Sequence, residues 1–232
     1  MGATLGEALG LLWTLDAQVL KIVHLSLQVS LSALLIGTLI GLPLGAWLAI
    51  QPFHGRSAVV VVLNTLMGFP SVIVGVLVYL LLSRSGPLGE WGLLFSPTAM
   101  IIAQSLLATP LIASISRQVV ADAWREYAAE FSVFRIGRWQ RVKLLLLDCR
   151  FSLLAGILAG LGRTMSEVGA VMIVGGNIEG YTRVMTTSIA LETSKGDLAL
   201  SIALGMVLLG LILCLNLLAH LLQAHLLRWG GS

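Results

Sequence analysis

The sequence predicts an all-α integral membrane protein with five transmembrane helices and an amphipathic helix between the third and fourth. Three observations predict this class. Hydrophobic residues make up 57% of the 232 and charged residues 11%, too little charge to cover a soluble domain of this length. The mean hydropathy is correspondingly high, at +0.97. Five stretches that are uncharged, or nearly so, each reach the ~20 residues that cross a bilayer. Seven of the 14 Lys and Arg fall within residues 117–150, which makes that stretch the one sizeable water-facing platform. The net charge of +3 comes mostly from this platform, so a lipid bilayer is the expected environment and nucleic acid a poor partner.

Residues 1–21 form a leader carrying Glu7, Asp16 and Lys21, and either an interfacial helix or a frayed terminus fits it. No basic residue precedes Lys21, which argues against a cleaved signal peptide. Residues 22–232 read as a single membrane domain. Its first span, 22–50, lacks Asp, Glu, Lys and Arg, and Gly37, Gly41, Pro43 and Gly45 cluster in its second half. Small residues there permit close helix contact or a kink. The second span, 57–83, is interrupted by Gly68, Phe69 and Pro70. Proline removes a backbone hydrogen bond, so Pro70 marks either a packing kink or a bend lining a pathway. The third span, 91–116, contains Pro97 and Pro110.

The platform follows at 117–150. Trp124, Tyr127, Phe131 and Phe134 recur there at three- and four-residue steps, the period of a helix with one apolar face. Gly137 interrupts the pattern before the chain returns to apolar sequence at Leu144. The fourth span, 151–178, is glycine-rich and carries Arg163 and Glu167 four residues apart. On one helix these two share a face and can pair, which lowers the cost of charge within a membrane. That pair is either self-neutralising and structural or part of a pathway. Residues 179–197 are polar and hydroxyl-rich, and the final span is 198–227, with Asn216 and His220 on one face. His220 and His225 read as packing or interfacial residues, and Arg228 with Trp229 as an interfacial anchor. Cys149 and Cys214 are placed for packing and not for a disulfide.

Five spans put the termini on opposite sides. One side collects nine Lys and Arg, namely Arg56, the seven of the platform and Arg228, against Lys21, Arg84, Arg183 and Lys195 on the other. The positive-inside rule then places the N-terminus outside and the platform and C-terminus in the cytoplasm. The chain has no phosphate-cradling glycine loop, zinc-ligand cluster or nucleophile elbow, so no ATPase or other enzyme is expected, and no cofactor or metal. A permease or channel is favoured, with a membrane-embedded scaffold as the reading from another class.

At the platform the chain resembles the permease subunits of ABC importers. Their coupling loop reads Glu-Ala-Ala, three residues, Gly, nine residues, then Ile-x-Leu-Pro. Here Leu145 and Leu147 fit the end, Ala129-Glu130-Phe131 stands at the opening triplet, Arg135 at the glycine and Asp148 at the proline. More specific are Pro70-Ser71-Val72-Ile73-Val74-Gly75, the runs 80–89 and 99–104, and Gly162-Arg163-Thr164-Met165-Ser166-Glu167-Val168-Gly169-Ala170. Gly175-Gly176-Asn177-Ile178, Tyr181-Thr182-Arg183 and the run 189–197 complete the match. Together these are similar to tungstate-type permeases, over roughly residues 22–220. The Arg-Thr-x-x-Glu-x-Gly portion is shared with molybdate and sulfate permeases, which are the alternative substrates.

The resemblance implies a type I importer permease in a prokaryotic inner membrane. It would act as a homodimer with two cytoplasmic ATPase subunits, which bind the ATP, and an extracytoplasmic oxyanion-binding protein. Implied coupling-loop residues are Trp124, Glu126, Tyr127, Ala129, Glu130, Phe131, Phe134, Arg135, Gly137, Arg138 and Trp139. Implied pathway or gate residues are Pro70, Arg163, Thr164, Glu167, Gly175, Gly176, Asn177, Thr182 and Arg183. A tetrahedral dianion calls for hydroxyl and amide donors in a positive field. The Arg163 face and the hydroxyls after Gly175 suit that need.

Overall fold

The computed structural model describes the backbone of residues 17–229 and the side chains of residues 19–221. Glu7 and Asp16 of the leader, and the side chains of His225, Arg228 and Trp229, lie outside the described residues. The helices are α1 (Ala17–Ile50), α2 (Arg56–Met67), α3 (Ser71–Leu82), α4 (Pro97–Val133), α5 (Arg138–Asp148), α6 (Arg150–Met165), α7 (Gly169–Gly175), α8 (Met185–Lys195) and α9 (Leu198–Trp229), with a 3₁₀ turn at Gly89–Trp91. The described residues contain no strand.

Three helices are long and apolar enough to cross a membrane, α1, α4 and α9, or up to five spans if the bent pairs α2–α3 and α5–α6 each count as one. This departs from the sequence reading in three places. The platform's aromatic pattern does not start a helix of its own, because α4 runs from Pro97 to Val133 and carries Trp124, Tyr127 and Phe131. Residues 117–133 hold no glycine or proline, so nothing local ends the helix after 116. The fourth span is not one helix, since α6 ends at Met165 and α7 starts at Gly169. The hydroxyl-rich stretch after it folds into a further helix, α8.

By their internal contacts the residues form two compact units. One comprises Ala33–Phe69 with Ser105–Arg163, and the other comprises the segment ending at Ser32, Pro70–Gln104 and the chain from Thr164 on. In the first unit, Gly37, Gly41 and Gly45 form one face of α1, and a Cβ at any of them would press on α4 between Ala108 and Arg117. The glycine cluster therefore serves close contact, the small-xxx-small device of membrane helices. Ser116 Oγ reinforces it by donating to the Leu42 carbonyl at 2.9 Å. At the end of α1, Arg56 Nε and Nη2 donate to the carbonyls of Leu48 and Ala49, at 2.8 and 3.1 Å. These are orphan acceptors of a helix C-terminus, where a cation is favoured.

In the second unit, α3 lies against α7. A Cβ on Gly75 would stand 2.8 Å from the Cα of Ala170, and one on Gly169 would stand 2.8 Å from Val72 Cγ2. α8 packs on α9 and is tied to it by Thr193 Oγ1 and Ser201 Oγ, 2.7 Å apart. Gly210, on the exposed side of α9, has open space where its Cβ would be. Gly75→Ala is expected to destabilise the protein by ~1–3 kcal/mol through overpacking against backbone that cannot swing away. Gly210→Ala is expected to be neutral or slightly stabilising. Thermal unfolding of both variants in detergent checks the contrast.

Candidate functional site

The platform is built from the last turns of α4, the turn at residues 134–137 and α5. Val142 and Leu145 of α5 are buried with Ala46, Ala49, Ile50 and Val120, and Trp124, Tyr127 and Phe131 pack against that cluster. Trp124 and Phe131 stack with centroids 5.9 Å apart, and Tyr127 lies 6.3 Å from Phe131. The Arg141 guanidinium sits 5.6 Å from the centre of the Trp124 ring and donates to the Ile136 carbonyl at 2.7 Å. Three of the four aromatics of the sequence pattern are thus used internally, holding α5 on the end of α4. Phe134 and Trp139 are not, being 74% and 73% exposed. With Val133 they form the apolar tip of the platform. Glu126, Ala129, Glu130 and Arg138 are also exposed.

The turn itself explains one departure from the family pattern. Arg135, where the coupling-loop register expects glycine, has φ +48°, the left-handed region in which an L side chain is disfavoured. The neighbouring Gly137 has φ −67°, so the positional demand for glycine falls on 135. Gln140 Oε1 accepts from the Gly137 amide at 3.4 Å and begins α5.

The second constellation surrounds the break between α6 and α7. Because α6 ends at Met165, Glu167 is not on its helix, and the four-residue step expected to pair it with Arg163 is absent. Glu167 instead turns to α7, its Oε1 accepting from the Ala170 amide at 3.0 Å, a carboxylate at a helix N-terminus. Arg163 Nη2 lies 3.5 Å from the Phe69 carbonyl, at the break that Pro70 makes after α2. The Thr164 carbonyl, freed where α6 ends, accepts from Gln104 Nε2 at 3.1 Å and Ser30 Oγ at 3.3 Å. Thr186 Oγ1 donates to the Glu167 carbonyl at 2.7 Å, and Ser26 Oγ accepts from the Met185 amide at 2.8 Å. Sequence reasoning gave Ser26, Ser30 and Gln104 no role. Their signal was isolated polar side chains inside uncharged spans.

Beyond α7 the chain turns at Gly176 and Asn177, with φ +69° and +49°. A Cβ on Gly176 would meet the Phe95 ring, and one on Gly175 would meet Met100. Thr182 Oγ1 fastens the loop, donating to the Gly175 carbonyl at 2.6 Å and accepting from the Ile178 amide at 2.9 Å. The hydroxyls of Thr182, Thr186 and Thr187 donate to the backbone carbonyls of Gly175, Glu167 and Val184. What the loop leaves unsatisfied is different. Asn177 Oδ1 and Arg183 Nε are buried without a hydrogen-bond partner, although Arg183 Nη1 approaches Glu179 Oε2 at 3.5 Å. The Arg183 side chain is only 13% exposed.

No family model matches the chain. Among curated proteins, it is 42% identical over 93% of its length to the tungstate uptake system permease protein of Peptoclostridium acidaminophilum, of which it covers 95%. It is 42% identical over 84% of its length to a probable anion ABC transporter permease protein of Haloferax volcanii, covering 87% of that protein. With the tungstate uptake system permease protein of Campylobacter jejuni it shares 36% identity over 94% of its length and 91% of the relative. More distant matches, at 24–29% identity, carry the names of molybdenum and sulfate transport permeases.

Arg135→Gly is expected to raise stability by about 1 kcal/mol, the order of the left-handed penalty it removes. Arg138→Gly, at the first residue of α5, is expected to lower it by ~1 kcal/mol. Parallel thermal melts read the two signs.

Proposed function

The chain belongs to the anion-uptake permeases of ABC transporters, and from that premise we propose that it is the membrane subunit of an ATP-driven tungstate importer. The observation that carries the reading is the near end-to-end match to tungstate uptake permeases at 36–42% identity. Two copies would enclose the anion path, two cytoplasmic ATPase subunits would drive it, and an extracytoplasmic binding protein would deliver the anion. Selectivity among tungstate, molybdate and sulfate would rest mainly with that binding protein, because tungstate and molybdate have nearly the same size and charge. The N-terminus would face outward and the C-terminus the cytoplasm, as the distribution of Lys and Arg favours.

Within this reading the residues divide by task. Arg183 offers the anion a buried donor, and Asn177 makes the left-handed turn of the same loop. Gly175, Gly176 and Thr182 hold the loop that presents them. Arg163 and Pro70 set the break after α2, while Thr164 and Glu167 set the break before α7. On the cytoplasmic side, Phe134 and Trp139 would enter a groove of the ATPase, with Trp124, Tyr127 and Phe131 as the internal support behind them. Aromatic anchors of this kind dominate helix-in-groove contacts.

Four outcomes are expected. Reconstituted with its ATPase and binding protein, the permease should show ATP hydrolysis stimulated by tungstate, and failure to capture any ATPase would end the importer reading. Trp139→Ala should weaken ATPase capture at least tenfold with the permease still folded, whereas Phe131→Ala should lower the melting temperature as well. Arg183→Gln should reduce anion stimulation at least tenfold while ATPase capture persists. For orientation, single cysteines at Ser132 and Gly180, in a background lacking Cys149 and Cys214, should react with impermeant maleimide from the cytoplasmic and the outer side respectively.

A further inference from the structure

Beside the platform's aromatic support, in the unit that contains it, lies a cleft of about 570 Å³ that shares Trp124 and Arg138 with the expected coupling loop but has no task of its own in the transport reading. Its floor is apolar, made by Ala49, Ile50, Pro52, Ala121 and Trp124, and its polar lining is Gln51, Arg56, Arg125, Arg138 and Arg141. Four arginines and no carboxylate line it. Among the described residues, Arg125 pairs with Asp122 at 3.5 Å, but the two side chains are 83% and 70% exposed, and a solvated pair of this kind neutralises little. Arg56 and Arg141 are held in place by bonds to the backbone carbonyls of Leu48, Ala49 and Ile136. Arg125 and Arg138 are exposed at the mouth. Four like charges on one cleft repel one another and favour an anion between them.

The position of the cleft selects the anion. Ala49 and Ile50 are the last residues of α1, a helix whose apolar run spans Val19–Ile50. The cleft therefore opens where that span leaves the hydrocarbon, the level of lipid headgroups. Trp47, stacked on Phe53 at 5.2 Å, and Trp124 stand at the same level, as interfacial aromatics do. An apolar floor under a cationic rim suits a molecule that brings a phosphate on an acyl chain. We propose that this cleft binds the phosphodiester headgroup of an anionic phospholipid, with Arg125 and Arg138 as the capturing cations and Arg56 and Arg141 as the fixed ones. The bound lipid would brace the end of α1 against the platform, and basic pockets beside membrane helices take such headgroups.

The test uses the full-length permease in a neutral detergent, with native mass spectrometry and thermal unfolding as readouts. Phosphatidylglycerol is expected to remain bound and to raise the melting temperature, and phosphatidylcholine of the same chain length to do neither. Arg125→Gln combined with Arg138→Gln should weaken phosphatidylglycerol binding at least tenfold and abolish the shift, with helical content by circular dichroism unchanged. Arg84→Gln, outside the cleft, should leave both readouts as in the parent. Equal stabilisation by the two lipids, or full retention of phosphatidylglycerol by the double variant, would overturn the proposal. Inorganic phosphate or tungstate displacing the lipid at micromolar concentration would assign the cleft to a free oxyanion and overturn the lipid assignment. Retained lipid with lost ATPase capture in the double variant would assign the cleft to the subunit interface and overturn it too.

Discussion

A helix that stops in apolar surroundings leaves carbonyls and amides that no water reaches, and each must find a partner within the protein. That constraint shapes this chain more than any other. Its helices are broken at Pro70 and after Met165, and several polar side chains of its otherwise uncharged helices are committed to the second break. Gln104 and Ser30 converge on the Thr164 carbonyl, Thr186 reaches the Glu167 carbonyl, and the Glu167 carboxylate meets the first turn of α7. Without them the breaks would expose unsatisfied backbone at a cost of several kcal/mol for each group.

The same constraint sorts the charged residues by role. Glu167 neutralises a helix start and Arg163 approaches a carbonyl beside a proline, so both serve the breaks whatever else they do. Arg183 differs, because among the described residues its Nε, like that of Arg117, is buried with no acceptor to receive it. A donor held out of water and left unsatisfied is costly. The threonines around it look like an anion's hydroxyl lining in the sequence, but their protons are already given to the loop's own backbone.

On the platform, aromatic side chains do the work that a membrane span gets from lipid. Trp124, Tyr127 and Phe131 lie against Ala46, Ala49, Ile50 and Val142 and keep the extension of α4 and the short α5 as one piece. This leaves Phe134 and Trp139, on either side of the turn at 134–137, exposed at the end of a packed support.

The sequence by itself determined the class, the number of apolar stretches, the basic platform and the family. Those follow from composition, period and motif, which are local properties of the chain. The family resemblance set glycine at position 135, and Arg135 occupies the left-handed region there. The sequence did not foresee that α4 would continue through the platform to Val133, because nothing local stops the helix. It paired Arg163 with Glu167 on the assumption of a continuous helix, and the break after Met165 removed that helix. Which aromatics face inward, which hydroxyls are spent and which arginines, Arg117 and Arg183, keep an unpaired buried Nε depend on partners far apart in the chain, as Ser30 and Thr164 are. Only the tertiary structure decided those, because satisfying a buried polar group is a property of what surrounds it and not of its neighbours in sequence.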